Sequence, residues 1–307
     1  MTPRIRGVLA PVLTPFHSDL AADVPRFVAH CRWLVDQGTG LAIFGTNSEA
    51  ASISVAQRLT LADSLLEAGI PAARMMPGTG ACAIDDAVQL TRHAVRSGAP
   101  GVLMLPPFFF KGVSDDGLFR YYAEVIERVG DDRLAVYLYH IPQMSHAPIS
   151  LALIERLLRH YPKAIAGAKD SSGDWANSRA MIEAFGAEGF DVFPASESFL
   201  SQALAIGGAG CISATVNVNP AGIRALHDGW TAPEGAGLQA QADAIRKLFQ
   251  AYPMIPAMKA AVARHTGHEG WRAVRPPLTG LTAAQADALH AQLQAIDFGM
   301  PGYPSVE

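Results

Sequence analysis

Short apolar runs alternate with longer stretches of helical periodicity through most of the chain, and this alternation limits the fold more than any other feature. The runs are Gly7–Leu13, Leu41–Phe44, Arg74–Met76, Val102–Leu105, Leu134–Tyr139, Ala164–Ala168, Phe190–Phe193 and Cys211–Ala214, eight in all. They are rich in Val, Ile and Leu and mostly lack polar alternation, which is how parallel strands covered on both faces read. Helix signals lie between them. Ser54-Val55-Ala56-Gln57 is a capping box, in which hydroxyl and amide satisfy free N–H groups at a helix start. The helix it opens stops near Gly69-Ile70-Pro71. Leu151, Ile154, Leu157 and Leu158 form one face of a helix, and Gly38, Gly98 and Gly130 close helices before the next strand. Eight strand–helix units argue for a closed (β/α)8 TIM barrel within the α/β class, over an open doubly wound sheet.

After about residue 224 the strands stop. Gln239–Ala251, Ile255–Thr266 and Leu281–Ile296 read as helices, with a second capping box at Thr282-Ala283-Ala284-Gln285. The expected division is a barrel over 1–224 carrying the active site and a C-terminal helical subdomain over 225–307. Pro233-Glu234-Gly235 has the turn chemistry of a hinge between them.

The chain has 307 residues, half of them hydrophobic and 17% charged, which permits one large core. The formal charge of −4 is spread without a basic block, so no nucleic-acid partner is expected. No apolar run reaches the ~18 residues of a membrane span. The opening MTPRIRGVLAPVLTPF is broken by Pro11 and Pro15 and does not read as a signal peptide. Cys31, Cys82 and Cys211 lie far apart without CxxC spacing, so neither a disulfide framework nor a zinc site is expected, and a reducing cytoplasm is the natural setting. Cys211 reads as a core residue. The ten histidines form no metal-ligand spacing.

A barrel of this kind places its chemistry at the carboxyl ends of the strands. There the chain carries Gly45-Thr46-Asn47-Ser48-Glu49, Pro106-Pro107-Phe108-Phe109-Phe110-Lys111, Tyr139-His140-Ile141-Pro142, Lys169-Asp170-Ser171-Ser172-Gly173-Asp174 and Ser196-Glu197-Ser198. Lys169 leaves a buried apolar strand. Burying an ammonium is costly, whereas a neutral amine in a dry pocket attacks ketones. A structural ion pair with Asp170 is the competing reading. Tyr139, on the neighbouring strand, and Thr46 supply hydroxyls that can relay protons as an imine forms; an ordinary core tyrosine is the alternative. Asn47 and the backbone N–H groups of the Thr46–Ser48 turn offer donors for a carboxylate.

This constellation resembles the dihydrodipicolinate synthase / N-acetylneuraminate lyase family over nearly the whole chain. Gly45–Glu49 is similar to the family's Gly-[Ser/Thr]-Thr-Gly-Glu loop, Tyr139–Pro142 to its Tyr-Asn-x-Pro turn, and Gly167–Asp174 to its Schiff-base lysine motif. Gly207–Pro220 looks like its last strand. Pro256-Ala257-Met258-Lys259 and Arg275-Pro276-Pro277-Leu278 resemble its C-terminal segments. The resemblance implies a class I pyruvate-dependent lyase. Lys169 would carry the imine, Tyr139 would be the acid–base relay, and Thr46 would bond to Tyr139. Asn47 would hold the keto-acid carboxylate, and Ile212 would offer its backbone carbonyl. No metal or organic cofactor is implied, because the imine itself is the electron sink. A keto acid and an aldehyde are the expected small-molecule partners, and a homo-oligomer, tetramer or dimer, is expected.

Departures from the family narrow the substrate. Dihydrodipicolinate synthases carry an arginine where this chain has Met144, and a thioether cannot pair with a carboxylate. They donate an interface tyrosine where this chain has Phe109. Glu197 matches an acidic position with which sialic-acid lyases hold sugar hydroxyls, flanked by Ser196 and Ser198. Ser48 replaces a glycine, Asn47 a hydroxyl residue and His140 an asparagine; His140 either satisfies backbone groups or touches substrate. The leading expectation is cleavage or formation of a C–C bond between pyruvate and an aldehyde, with a 2-keto-3-deoxy sugar acid as substrate type. The alternatives are 4-hydroxy-tetrahydrodipicolinate synthesis, dehydration of a keto-deoxy acid through the same imine, and a non-catalytic keto-acid-sensing barrel. A phosphosugar isomerase would need a phosphate site, and Gly207-Gly208-Ala209-Gly210 precedes the last strand instead of following it.

Overall fold

The computed structural model describes residues 4–304, which hold seven strands and twelve α-helices. In chain order these are β1 (Gly7–Ala10), α1 (Val24–Asp36), β2 (Gly40–Leu41), α2 (Val55–Glu67), α3 (Ile84–Arg96), β3 (Val102–Met104) and α4 (Asp115–Val129). Next come β4 (Val136–His140), α5 (Pro142–Ser145), α6 (Leu151–His160), β5 (Ile165–Asp170), α7 (Trp175–Phe185), β6 (Asp191–Pro194), α8 (Leu200–Ala205) and β7 (Gly210–Ile212). The helices α9 (Pro220–Gly229), α10 (Gly235–Gln250), α11 (Met254–Thr266) and α12 (Ala283–Ala295) complete the chain. The class is α/β, with parallel strands alternating with helices.

One expected strand does not form. Ala72–Arg74 is a 3-10 turn, and the chain beyond it meets β3 through a single parallel bridge, Gly78 to Leu103. Leu103 N–H donates to Pro77 O at 2.8 Å and Thr79 N–H to Leu103 O at 3.0 Å. Pro77 has no N–H to give to a ladder, so the pairing cannot lengthen. The second strand is also shorter than expected, because Phe44 adopts a left-handed backbone at φ 60° and leaves the extended path. The fifth strand is longer, and takes in Lys169 and Asp170.

The chain forms two compact units. The first joins the N-terminal stretch to Leu9 with Pro71–Ile212. Its strands β3, β4, β5 and β6 pair in parallel in that order. Ala209 N–H donates to Val192 O at 2.9 Å, leading from β6 to β7, and β7 pairs in parallel with β1. That last pairing requires a glycine: at Gly210, φ is 134° and a Cβ would lie 1.9 Å from Gly7 O. Met104, Leu138, Ala168 and Val192 pack beneath Tyr122, Ile154 and Met181 of the covering helices. On α6 the buried face is Leu153, Ile154 and Leu157, each worth roughly 1.5–3 kcal/mol in removal from water.

The second unit joins Ala10–Ile70 with the chain from Ser213 onward. The two capping boxes stand as read, at Ser54 with Gln57 and at Thr282 with Gln285. The three C-terminal helices form close to their expected bounds. In α11 every residue from Pro256 to Ala263 is buried, four of the eight being alanine, which lets neighbours approach closely. His30 is buried at the centre of this unit, with Nε2 3.1 Å from Asn217 Oδ1 and Nδ1 3.1 Å from Tyr303 OH. Asn217 also accepts from Leu13 N–H and donates to Pro11 and Ala214 carbonyls, so its amide is fully engaged. Burial pushes the His30 imidazole down to about 4, against the pull of its Asn217 bond. Cys31 and Cys211 are buried and Cys82 is exposed, and none of the three is in a disulfide. Among the described residues no helix is long and apolar enough to cross a membrane.

Candidate active site

Strand register builds the centre of the site. Tyr137 lies opposite Gly167 and Tyr139 opposite Lys169 on β4 and β5. Side chains two apart share a face, so all four positions point to one side of the sheet. Gly167 leaves room there: a Cβ would stand 2.8 Å from the Tyr137 ring and 2.0 Å from Asp191 O. The Tyr137 ring fills that space, with its hydroxyl 3.5 Å from Asp191 Oδ2. Arg6 meets the same carboxylate at 2.7 Å and Arg4 at 3.5 Å. Burial pushes the Asp191 carboxyl up while the two arginines hold it down. One layer further along the strands, Lys169 Nζ donates to Tyr139 OH at 3.3 Å and lies 4.3 Å from the tyrosine ring centroid. Both side chains are buried.

The competing partner for Lys169 is engaged elsewhere. Asp170, one residue on, points to the opposite face, where Ser178 Oγ donates to Oδ2 at 2.6 Å and Ser172 N–H donates to Oδ1 at 2.9 Å. His140 sits opposite Asp170 in register, on that same far face. Its Nδ1 accepts from Ile149 N–H at 3.0 Å, which puts the proton of the neutral ring on Nε2. Burial pushes the His140 imidazole below its ordinary value, with the Asp170 carboxylate opposing. Through Nδ1 the side chain thus satisfies a backbone group.

In the second unit, Gly45–Ala50 folds into a tight turn closed by Ser48 N–H to Gly45 O at 3.2 Å, Glu49 N–H to Thr46 O at 3.0 Å and Ala50 N–H to Gly45 O at 3.3 Å. Ser48 is buried; its hydroxyl donates to Val12 O and its carbonyl accepts from Thr14 Oγ1. Thr46 and Asn47 are half-buried. Neither the N–H nor the amide of Asn47 has a hydrogen-bond partner among the described residues. The turn therefore presents donors at Asn47 while Ser48 is occupied in holding its shape.

The chain matches the Dihydrodipicolinate synthetase family over residues 4–296. It belongs to that family. A DapA-like lyase of Chloroflexus aurantiacus is 33% identical over 297 residues, covering 96% of this chain and 98% of that one. The crystal structure of dihydrodipicolinate synthase from Agrobacterium tumefaciens superposes with a TM-score of 0.86 at 29% identity, covering 95% of this chain and 99% of that one. YagE from E. coli K12, a family member crystallised with pyruvate, superposes at 0.85 and 27% identity, covering 95% and 99%. This member of the Dihydrodipicolinate synthetase family is a class I pyruvate-dependent lyase with the fold of those enzymes.

Against the family pattern, Met144 is 59% exposed on the short helix α5 and Phe109 is 72% exposed on the loop after β3. Neither is enclosed by its own chain. Ser196 Oγ accepts from Ser198 N–H at 3.2 Å and starts a 3-10 turn in which Glu197 is buried. Ile212 ends β7 and is buried. Reasoning from sequence missed two features. Arg246 of α10 donates to Ser213 Oγ at 2.9 Å, beside Ile212 in the chain, and nothing local distinguishes it from its neighbour Lys247. Glu49 and Lys259, quoted only as parts of motifs, form a buried ion pair. Among the described residues no three His, Cys, Asp or Glu side chains cluster as a metal set.

Proposed function

We propose that Lys169 forms an imine with the keto carbon of pyruvate or a pyruvyl compound, and that this chain cleaves or forms the adjacent C–C bond of a 2-keto-3-deoxy sugar acid. The observation that carries this reading is the buried Lys169 Nζ–Tyr139 OH contact at 3.3 Å, on a strand face from which Asp170 is excluded. The lysine amine adds to the ketone, and Tyr139 donates a proton so that water leaves. In cleavage, Tyr139 then takes the proton of the C4 hydroxyl, the C3–C4 pair moves into the iminium, and an aldehyde departs. Protonation of the enamine at C3 and addition of water return pyruvate and free lysine. The electrons rest on the imine nitrogen, so no metal or organic cofactor enters.

Thr46 is assigned to the relay and Asn47 to the keto-acid carboxylate, on the motif match and on the unengaged donors of Asn47. Ile212 is assigned a backbone contact, and Ser196 and Glu197 the hydroxyls of the aldehyde. Ser48 and His140 are assigned to the framework, since their side chains hold backbone groups. Residues 1–224 would carry the chemistry and 225–307 the helical annex. The setting would be cytoplasmic. The exposed Phe109 and Phe110 fit an interface between copies in a homo-oligomer, a tetramer or dimer.

One observation favours a second reading. Arg246 brings a guanidinium to Ser213, which suits an acidic aldehyde such as the one used in dihydrodipicolinate synthesis. Pyruvate with borohydride should label Lys169 alone, seen by peptide mapping; labelling elsewhere, or none, rejects the imine. Comparison of kcat/KM for a hydroxylated and an acidic aldehyde separates the two substrates. Met144→Arg should raise the acidic one, and Arg246→Ala should lower it if the second reading holds. Activity should survive exhaustive chelation.

A further inference from the structure

The buried ion pair in the second unit supplies no group to the imine chemistry proposed above, and a buried pair of charges is weak evidence for a stabilising role. Glu49 and Lys259 are both fully buried at the side chain. Removing two charges from water is expensive, and an apolar pair of similar size often packs as well. Burial pushes the Lys259 ammonium down to about 8, even with the Glu49 carboxylate supporting it. Glu49 also adopts a left-handed backbone at φ 57°, which a side-chain-bearing residue adopts at a cost.

The pair does fix a direction. Glu49 Oε1 accepts from Lys259 Nζ, and Oε2 accepts from Arg275 N–H at 2.7 Å. Lys259 is in turn held by Ala273 O at 2.7 Å. Arg275 donates to Leu20 O, to Ser52 O at 2.6 Å and to Gln57 Oε1 at 3.0 Å. The Phe16 ring lies 4.5 Å from Lys259 Nζ and 4.6 Å from the Arg275 guanidinium carbon. With both carboxylate oxygens committed, the backbone of Glu49 cannot rotate without breaking its N–H bond to Thr46 O and the Ala50 N–H bond to Gly45 O. Those two bonds close the turn that aims the Asn47 N–H.

We propose that Glu49, clamped by Lys259 and Arg275, is the positioning residue for the Thr46–Asn47–Ser48 turn and sets how tightly that turn grips a keto-acid carboxylate. The proposal rests on the imine reading above. It predicts a selective effect on carboxylate-bearing ketones, because the donors at stake recognise the carboxylate and not the carbonyl.

The test uses full-length Glu49→Gln, Lys259→Met and the double variant, with pyruvate and acetone as charged and neutral ketones. Borohydride labelling of Lys169 gives the half-saturating concentration for each. In Glu49→Gln, the value for pyruvate should rise on the order of tenfold, as for a lost hydrogen bond to a charged group, while that for acetone stays put. The pyruvate KM in turnover should rise with it while kcat changes little. The double variant should be no worse than the more affected single, since both remove one interaction. Equal weakening of both ketones, or a lowered Tm with an unmoved pyruvate value, overturns the proposal and leaves the imine reading intact. If Glu49→Gln does not fold, Glu49→Asp keeps the charge but shortens the arm by one methylene, and the same pyruvate-selective rise is required of it. Wild-type protein that pyruvate fails to label at Lys169 would overturn the imine reading and this proposal with it.

Discussion

Tyr137 and Tyr139 point to the same face of β4, yet their surroundings give them different work. The Tyr137 hydroxyl stands by Asp191, in a layer closed by Gly167 and two arginines, and burial pushes its phenol well up. The Tyr139 hydroxyl instead receives Lys169 Nζ, and is the only one of the two within reach of that amine. Removing each oxygen should therefore have opposite consequences. Tyr139→Phe should lower kcat by ~10²-fold or more, the ordinary weight of a positioned acid–base group, with little change in stability. Tyr137→Phe should cost about 1 kcal/mol in denaturant unfolding and leave kcat near wild type. Steady-state rates and urea midpoints on both variants check the pair, and a Tyr139→Phe enzyme with wild-type kcat would remove that hydroxyl from the mechanism.

At the level of elements, β5 is tied to β6 by the missing side chain at Gly167. Gly167→Ala would drive a methyl into Asp191 O and the Tyr137 ring, so the two strands must part. The expected loss is at least the ~1–3 kcal/mol of an overpacked core, read as a lower urea midpoint, together with reduced labelling of Lys169 as its strand shifts. An unchanged midpoint would show that β6 yields freely. The same elements mark what was legible in the sequence. Helices announced themselves through local chemistry: Ser54 with Gln57, Thr282 with Gln285, and the left-handed Gly130 at the end of α4 all act within one turn. The run at Arg74–Met76 failed as a strand because Pro77 withholds a donor, a single-residue veto that apolar character conceals. Lys169 and Tyr139 stand out in the sequence because both lie in short motifs. The choice between Tyr139 and Asp170 as the neighbour of Lys169 needed the register of β4 on β5, which no single strand contains. Glu49–Lys259 and Arg246–Ser213 join positions far apart in sequence, and no local pattern encodes such pairs.

For the whole molecule, two properties follow from what is covered and what is buried. Phe109 and Phe110 meet edge to face at 5.4 Å, and each is 72% exposed. In the oligomer proposed above, Phe109→Ser with Phe110→Ser should shift light scattering toward smaller species, whereas an unshifted oligomer would place the interface elsewhere. Part of the response to acid comes from His30. Its ring is wholly enclosed, bonded to Asn217 and Tyr303, and holds its proton only below about 4, against an ordinary value of 6.5. Between those values the unfolded chain binds a proton that the folded chain refuses. Unfolding free energy must therefore fall as pH drops through 6.5, by roughly 1.4 kcal/mol per unit, and level off below about 4. Carboxylates titrate over part of the same range, but they are shared with a His30→Gln variant, so the difference between the two proteins isolates the imidazole. Urea unfolding at pH 7, 5.5 and 4.5 should show His30→Gln less stable than wild type at pH 7, where it loses a fitted side chain, and gaining on it steadily as the pH falls. Parallel pH profiles for the two proteins would mean that His30 takes its proton without disturbing the core around Asn217, and would remove it as an acid-sensitive element of the fold.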